Sequence, residues 1–117
     1  MAFRFRELRV YQNSLELHKT VVRLTKKFSR DFEYLTKQMR RASLSIVLNI
    51  AEGSAKSSDK DYRRYIGNAL GSVNELIAGA DVALSEKIIS LDEFQSLEKD
   101  AEFVTNQLGS FSKRLKG

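Results

Sequence analysis

Along the chain, four stretches repeat their apolar residues every three or four positions, and short polar breaks separate them. In the first, about residues 7–28, Leu8, Tyr11, Leu15, His18 and Val22 form one stripe, while Val10, Leu17, Val21, Leu24 and Phe28 form a second beside it. Together they cover about half the circumference, wider than the usual core-facing stripe. Ser29-Arg30-Asp31 then offers a break and a capping residue. The second stretch, about 32–55, carries its main stripe at Leu35, Met39, Ala42, Ile46 and Ile50, with Asn49 and Gly53 at its edge. Leu44, Val47, Leu48 and Ala51 fall on other faces, so residues 42–51 are apolar nearly all round. A helix of that kind is buried on more than one side. Four helices alone would leave one of those faces wet, and this predicts self-association.

The third helix, about 59–87, starts behind Ser58, which with Asp61 makes an approximate capping box, and buries Tyr62, Ile66, Ala69, Val73, Leu76, Ala80 and Ala83. Gly67, Gly71 and Gly79 each cost about 1 kcal/mol relative to Ala in a helix, so close approach of another backbone is expected to offset them. A break near Ile88-Ile89 leads to Ser90-Leu91-Asp92-Glu93, a complete S-x-x-E capping box. The last helix, about 91–115, reads Phe94, Leu97, Ala101, Val104, Leu108, Phe111 and Leu115. No strand pattern of useful length occurs beyond the arm Phe3-Arg4-Phe5-Arg6. Short links between long amphipathic helices predict antiparallel neighbours. The expected fold is all-α: one domain over residues 1–117, an antiparallel up-down-up-down four-helix bundle that assembles into a homo-oligomer.

Composition narrows the function. Without cysteine, neither a disulfide framework nor a thiolate metal site is possible; without proline, no helix carries that kink. No signal-peptide pattern opens the chain, and its longest apolar run is too short to span a bilayer, so the cytoplasm is the expected location and no membrane partner is expected. The formal net charge is +5. Residues 1–41 hold 11 Lys/Arg against 4 Asp/Glu, whereas the rest of the chain holds 9 against 11. The positive field therefore comes from the first third, and it favours an acidic partner.

Catalytic chemistry finds no foothold. The single histidine, His18, sits on an apolar stripe, where a hydrogen-bonded, partly buried imidazole is the ordinary reading. Helical di-metal sites need Glu-x-x-His on two helices, and any Ser-His-Asp arrangement would have to recruit this same His18. The Gly67-to-Gly71 spacing lacks the Lys-Ser/Thr of a phosphate loop. No catalytic residue, metal or cofactor is expected. Two polar stripes can be ordinary solvated faces or a buried or intersubunit network: Gln38, Arg41, Ser45 and Glu52 on the second helix, and Asn68, Ser72 and Glu75 on the third. Asn49, flanked by Leu48 and Ile50, is the member expected to be buried.

Basic residues are patterned too. Lys19, Arg23, Lys26 and Arg30 step by four, three and four along the first helix; Arg4, Arg6 and Arg9 precede them, and Lys37, Arg40 and Arg41 follow. Phe3, Phe5 and Tyr34 lie nearby as stacking candidates. The pattern fits nucleic-acid binding, and it also fits a merely solvated face.

The run Gln38-Met39-Arg40-Arg41-Ala42-Ser43-Leu44-Ser45-Ile46-Val47-Leu48-Asn49-Ile50-Ala51-Glu52-Gly53 resembles the motif of the four-helix-bundle family named for the 23S rRNA intervening-sequence protein. Gly71-Ser72-Val73-Asn74-Glu75-Leu76 is similar to its later Gly-Ser-x-x-Glu-Leu, and Phe5-x-x-Leu8 with Val10-Tyr11-Gln12 looks like its amino-terminal entry. Ser29 stands where many members have proline. The resemblance implies a homopentamer, and a more distant relationship to the basic pentameric accessory variability protein of diversity-generating retroelements. The expectation is a non-enzymatic, homo-oligomeric nucleic-acid-binding protein, RNA before DNA. The ten basic residues above would contact phosphate, and Leu44, Leu48, Asn49, Glu52, Gly67, Gly71 and Glu75 would line the oligomer interface. The alternative is an oligomeric scaffold or adaptor for a protein partner.

Overall fold

A computed structural model describes residues 2–115. A 3-10 turn, Arg4–Glu7, precedes α1 (Arg9–Thr25); a second short turn, Arg30–Phe32, leads into α2 (Glu33–Ser54), followed by α3 (Asp59–Ser85) and α4 (Leu91–Arg114). No strand occurs among the described residues. Each helix packs on its neighbour in the chain and α4 closes the ring on α1, while the diagonal pairs stay apart. Cross-helix bonds fix the antiparallel registers: His18 beside Ser43 for α1 and α2, Ser72 beside Ser45 for α2 and α3, and Asn13 beside Gln107 for α1 and α4. The result is a rod of about 44 × 23 × 19 Å.

The core follows the predicted stripes in three helices. Leu35, Met39, Ala42, Ile46 and Ile50 of α2 are buried against Ile66, Ala69, Val73, Leu76, Ala80 and Ala83 of α3 and Leu97, Ala101, Val104 and Leu108 of α4. Val47, expected on another face, is buried as well. Tyr62, Phe94, Phe111 and Leu115 pack at the margin. Gly53 and Gly79 are the glycines that contact makes necessary. A Cβ on Gly53 would lie 2.9 Å from Tyr65 Cβ, and one on Gly79 would lie 2.8 Å from Met39 Cγ. Gly67 and Gly71 have open space instead, so within one subunit nothing approaches them.

In α1 the second of the two expected stripes supplies the buried residues, and Leu8, Tyr11, Leu24 and Phe28 pack against the core. The buried residues of α1 are Val10, Ser14, Leu17, Val21 and Thr25, whereas Leu15 of the alternative stripe is exposed. Two polar residues interrupt the true stripe, and their short hydroxyls return to their own helix: Ser14 donates to Tyr11 O at 2.6 Å and Thr25 to Val21 O at 2.8 Å. A buried hydroxyl satisfied in this way costs little. The helix ends at Thr25, before the expected 28, and the arm with alternating Phe and Arg is a 3-10 turn rather than a strand. Phe5 anchors that turn edge-on against Tyr11, with ring centroids 4.9 Å apart.

The caps divide by helix. Ser58 accepts from the Asp61 amide, and Ser90 with Glu93 forms both bonds of a capping box. Before α2, neither Ser29 nor Phe32 makes a side-chain cap bond.

Candidate nucleic-acid interface

Helical spacing puts Lys19, Arg23 and Lys26 on the outer face of α1, opposite Val10, Leu17 and Val21, and puts Lys37 and Arg41 on the outer face of α2. With Arg30 in the connecting turn, all six are exposed. The antiparallel register set by His18 and Ser43 brings the two faces side by side at the end of the bundle where α1 turns into α2. Of the six, only Lys19 makes an ion pair among the described residues, with Glu16 at 3.4 Å, and that pair is solvent-exposed and therefore weak. Asp31 and Glu33 follow Arg30 in the chain, and Asp92 and Glu93 share a cleft with Arg23, so carboxylates that form no ion pair with the six moderate the positive field over this end.

Arg40 is placed differently from its neighbours. Its Nε donates to Thr25 Oγ1 at 2.8 Å and one Nη donates to Val22 O at 3.2 Å, so it clamps the last turn of α1 onto α2. Half-buried, it has no carboxylate partner among the described residues. His18 lies on the same seam, with Nδ1 2.7 Å from Ser43 Oγ. Burial, and then the Arg40 guanidinium, push the imidazole below its ordinary value, which favours its neutral form.

Arg4, Arg6 and Arg9 do not join this cluster. The 3-10 turn and the first turn of α1 stand at the opposite end, about 25 Å away along a 17-residue helix. Arg6 stacks over the Phe3 ring there, 5.1 Å from its centroid. The same end carries basic residues that sequence reasoning passed over: Lys56 and Arg64 flank the Tyr65 ring at 4.9 and 4.7 Å. No periodic signal marked them, because they come from the end of one helix and the start of the next.

The expected interface residues lie on two adjoining surfaces. Leu44 and Leu48, 43% and 54% exposed, stand on the outer face of α2 beside Lys37 and Arg41. Leu15, also exposed, lies across the α1–α2 seam at the same level, because His18 pairs with Ser43 three residues further on. The two polar stripes meet along the α2–α3 seam: Gln38 donates to Glu75, and Ser72 donates to Ser45 at 2.9 Å. Asn49, expected to be buried, is half-buried, and its amide returns to the Ser45 carbonyl at 2.8 Å. Glu52, Gly67, Gly71 and Asn68 are exposed beside this seam.

Several open clefts lie on the surface, and two of them concern the basic residues and the exposed aromatics. One of about 450 Å³ lies between the start of α1 and the end of α4, with Phe103, 56% exposed, on its wall. The other, about 270 Å³, lies at the α1–α2 turn and is lined by Lys26, Arg30 and Arg40 among others. No group of three His, Cys, Asp or Glu capable of holding a metal occurs among the described residues. No helix of the described chain is long and apolar enough to cross a membrane.

Fold and surface together define an all-α four-helix protein with exposed basic residues at both ends. The model of the 23S rRNA-intervening sequence protein family matches residues 6–110, and the chain belongs to that family. A solved structure of a protein of unknown function from the S23 ribosomal protein family of Bacteroides thetaiotaomicron VPI-5482 is similar at 25% identity. The likeness covers 89% of this chain and 98% of that one, with a TM-score of 0.82. No curated protein matches the chain.

Proposed function

We propose that this protein is a non-enzymatic homo-oligomer, a pentamer as the resemblance implies, that binds nucleic acid through the outer faces of α1 and α2. The observation carrying the reading is the set of six exposed cations, Lys19, Arg23, Lys26, Arg30, Lys37 and Arg41, of which only Lys19 makes an ion pair among the described residues. Contacts of this type go to phosphate, so they position a strand without reading its sequence. The family description supports RNA over DNA. Self-association is supported by Leu44 and Leu48, which leave an apolar strip in water next to the basic face. Copies brought together through that strip would add their positive fields.

Retention of a structured RNA at rising salt tests the proposal. Six phosphate contacts predict an affinity loss of roughly a thousandfold between about 50 and 200 mM salt. Salt-insensitive binding, or none at low salt, overturns it. Charge reversal at Arg23→Glu with Lys26→Glu is expected to abolish retention while the mass by light scattering stays that of the unaltered oligomer. RNA retention unchanged by that reversal would favour a scaffold for a protein partner, and a monomeric mass would remove the oligomer.

A further inference from the structure

We propose that the cleft at the α1–α2 turn is a phosphate-monoester site, built to seat the terminal phosphate of a nucleic-acid strand. Three cations line it: Lys26 at the end of α1, Arg30 in the turn, and Arg40 from α2. Arg40 is the informative one. A half-buried guanidinium ordinarily has an anionic partner, because removing a charge from water is costly unless a counter-charge repays it. Here only the neutral oxygens of Thr25 and Val22 hold it, which leaves its second terminal nitrogen with donors to spare. The fork is therefore fixed in place by protein, with part of its hydrogen-bonding capacity and all of its charge unanswered.

The rest of the lining suits a phosphate. Ser29 and Thr36 bring hydroxyls to the same cleft, and hydroxyls donate to phosphate oxygens; the Thr25 hydroxyl is already committed to Val21 O and Arg40. Glu33 also lines the cleft, but it pairs with none of the cations among the described residues. Three cations with one carboxylate leave a net charge of about +2, the complement of a monoester dianion near neutral pH rather than of a singly charged internal diester. The occupant is thus a chain end or a free phosphate, and the chemistry of recognition is the same. The inference rests on the nucleic-acid reading for the strand, and on the cleft alone for the phosphate.

Inorganic phosphate is the first probe, followed by backbone amide shifts at Thr25, Ser29 and Thr36 with chloride at matched ionic strength as reference. Shifts specific to phosphate are expected, and Arg40→Lys should weaken them about tenfold, since it forfeits one charge-assisted bond. Should Arg40→Lys fail to fold, the exposed pair Lys26→Gln with Arg30→Gln serves the same purpose. Shifts no larger than those of chloride, or shifts unaltered by these substitutions, overturn the site. The second arm compares one oligoribonucleotide bearing a 5′-phosphate with the same strand bearing a 5′-hydroxyl. Displacement of bound phosphate by the first strand alone supports the terminal assignment; equal displacement by both, or by neither, overturns it. RNA retention without phosphate shifts would remove the site and keep the nucleic-acid reading, whereas phosphate shifts without RNA retention would do the reverse.

Discussion

The α1–α2 and α3–α4 connections join antiparallel helices by opposite means. Beyond α3, Lys87 takes a left-handed conformation with φ of 60°, its amide reaching Leu84 O at 3.0 Å and the Ile88 amide reaching Ala83 O at 2.9 Å. These are the two bonds of a Schellman stop. Ser90 and Glu93 then open α4 with a reciprocal cap, and Glu93 also pairs with Lys27, which follows α1 in the α1–α2 connection. The neighbouring α1–α2 connection has no side-chain cap on its helical side; its last turn is held by Arg40 reaching over from α2. The α3–α4 connection closes its stop and its start mainly with bonds among its own residues. A connection that borrows a distant cation leaves charge facing outward, and that is where the candidate site lies.

Substitutions can break this contrast, beginning with the largest effect. Arg40→Ala removes two bonds from a charged donor and is expected to cost about 2 kcal/mol, read as a lower denaturation midpoint at an unchanged slope. A loss below about 0.5 kcal/mol, the range of ordinary surface changes, would show that the α1–α2 turn does not depend on the clamp. Ser90→Ala in the other connection is expected to cost about 1 kcal/mol, the usual value of an N-cap. It should leave RNA retention untouched, and reduced retention would contradict the division of labour.

Lys87→Gly is expected to stabilise by about 0.5 kcal/mol. The left-handed strain of a non-glycine residue is relieved, and part of the gain is returned as unfolded-chain entropy. Any loss of stability would mean that the Lys87 side chain contributes more than its backbone costs. The smallest effect concerns pH. The bond to Lys27, and then the bonds at Ser90, hold the Glu93 carboxyl below the ordinary carboxylate value. A lowered folded value gives stability that is complete above the unfolded pKa and disappears as pH falls through the folded one. Glu93→Gln should therefore flatten the acid side of the stability curve slightly, because the carboxylate is about a third exposed and partly screened. An unchanged acid slope would remove that linkage.

Local pattern was enough to identify the four helices, the buried stripes of α2, α3 and α4, and the capping box at Ser90. It also placed Leu44 and Leu48 away from the core of α2. Each of these follows from residues within a few turns of one another, since a helix advances about 100° per residue and reports its own faces. The choice between the two apolar stripes of α1 was not legible. Ser14 and Thr25 disguise the buried one, and only packing against α2 and α4 shows which way the helix is turned.

The surface divided along the same line. Sequence alone concentrated positive charge in the first third of the chain and spaced Lys19, Arg23, Lys26 and Arg30 along one side of a helix. Tertiary structure decided which of ten basic residues share a surface: it gathered six, carried Arg4, Arg6 and Arg9 to the far end, and turned Arg40 inward onto Thr25. The pairing of Gln38 with Glu75 and of Ser45 with Ser72 was likewise decided by the α2–α3 register. The reason is one of range. Periodicity is a property of a single helix, whereas the phase, register and ends that bring charges together are set by the neighbours against which that helix packs.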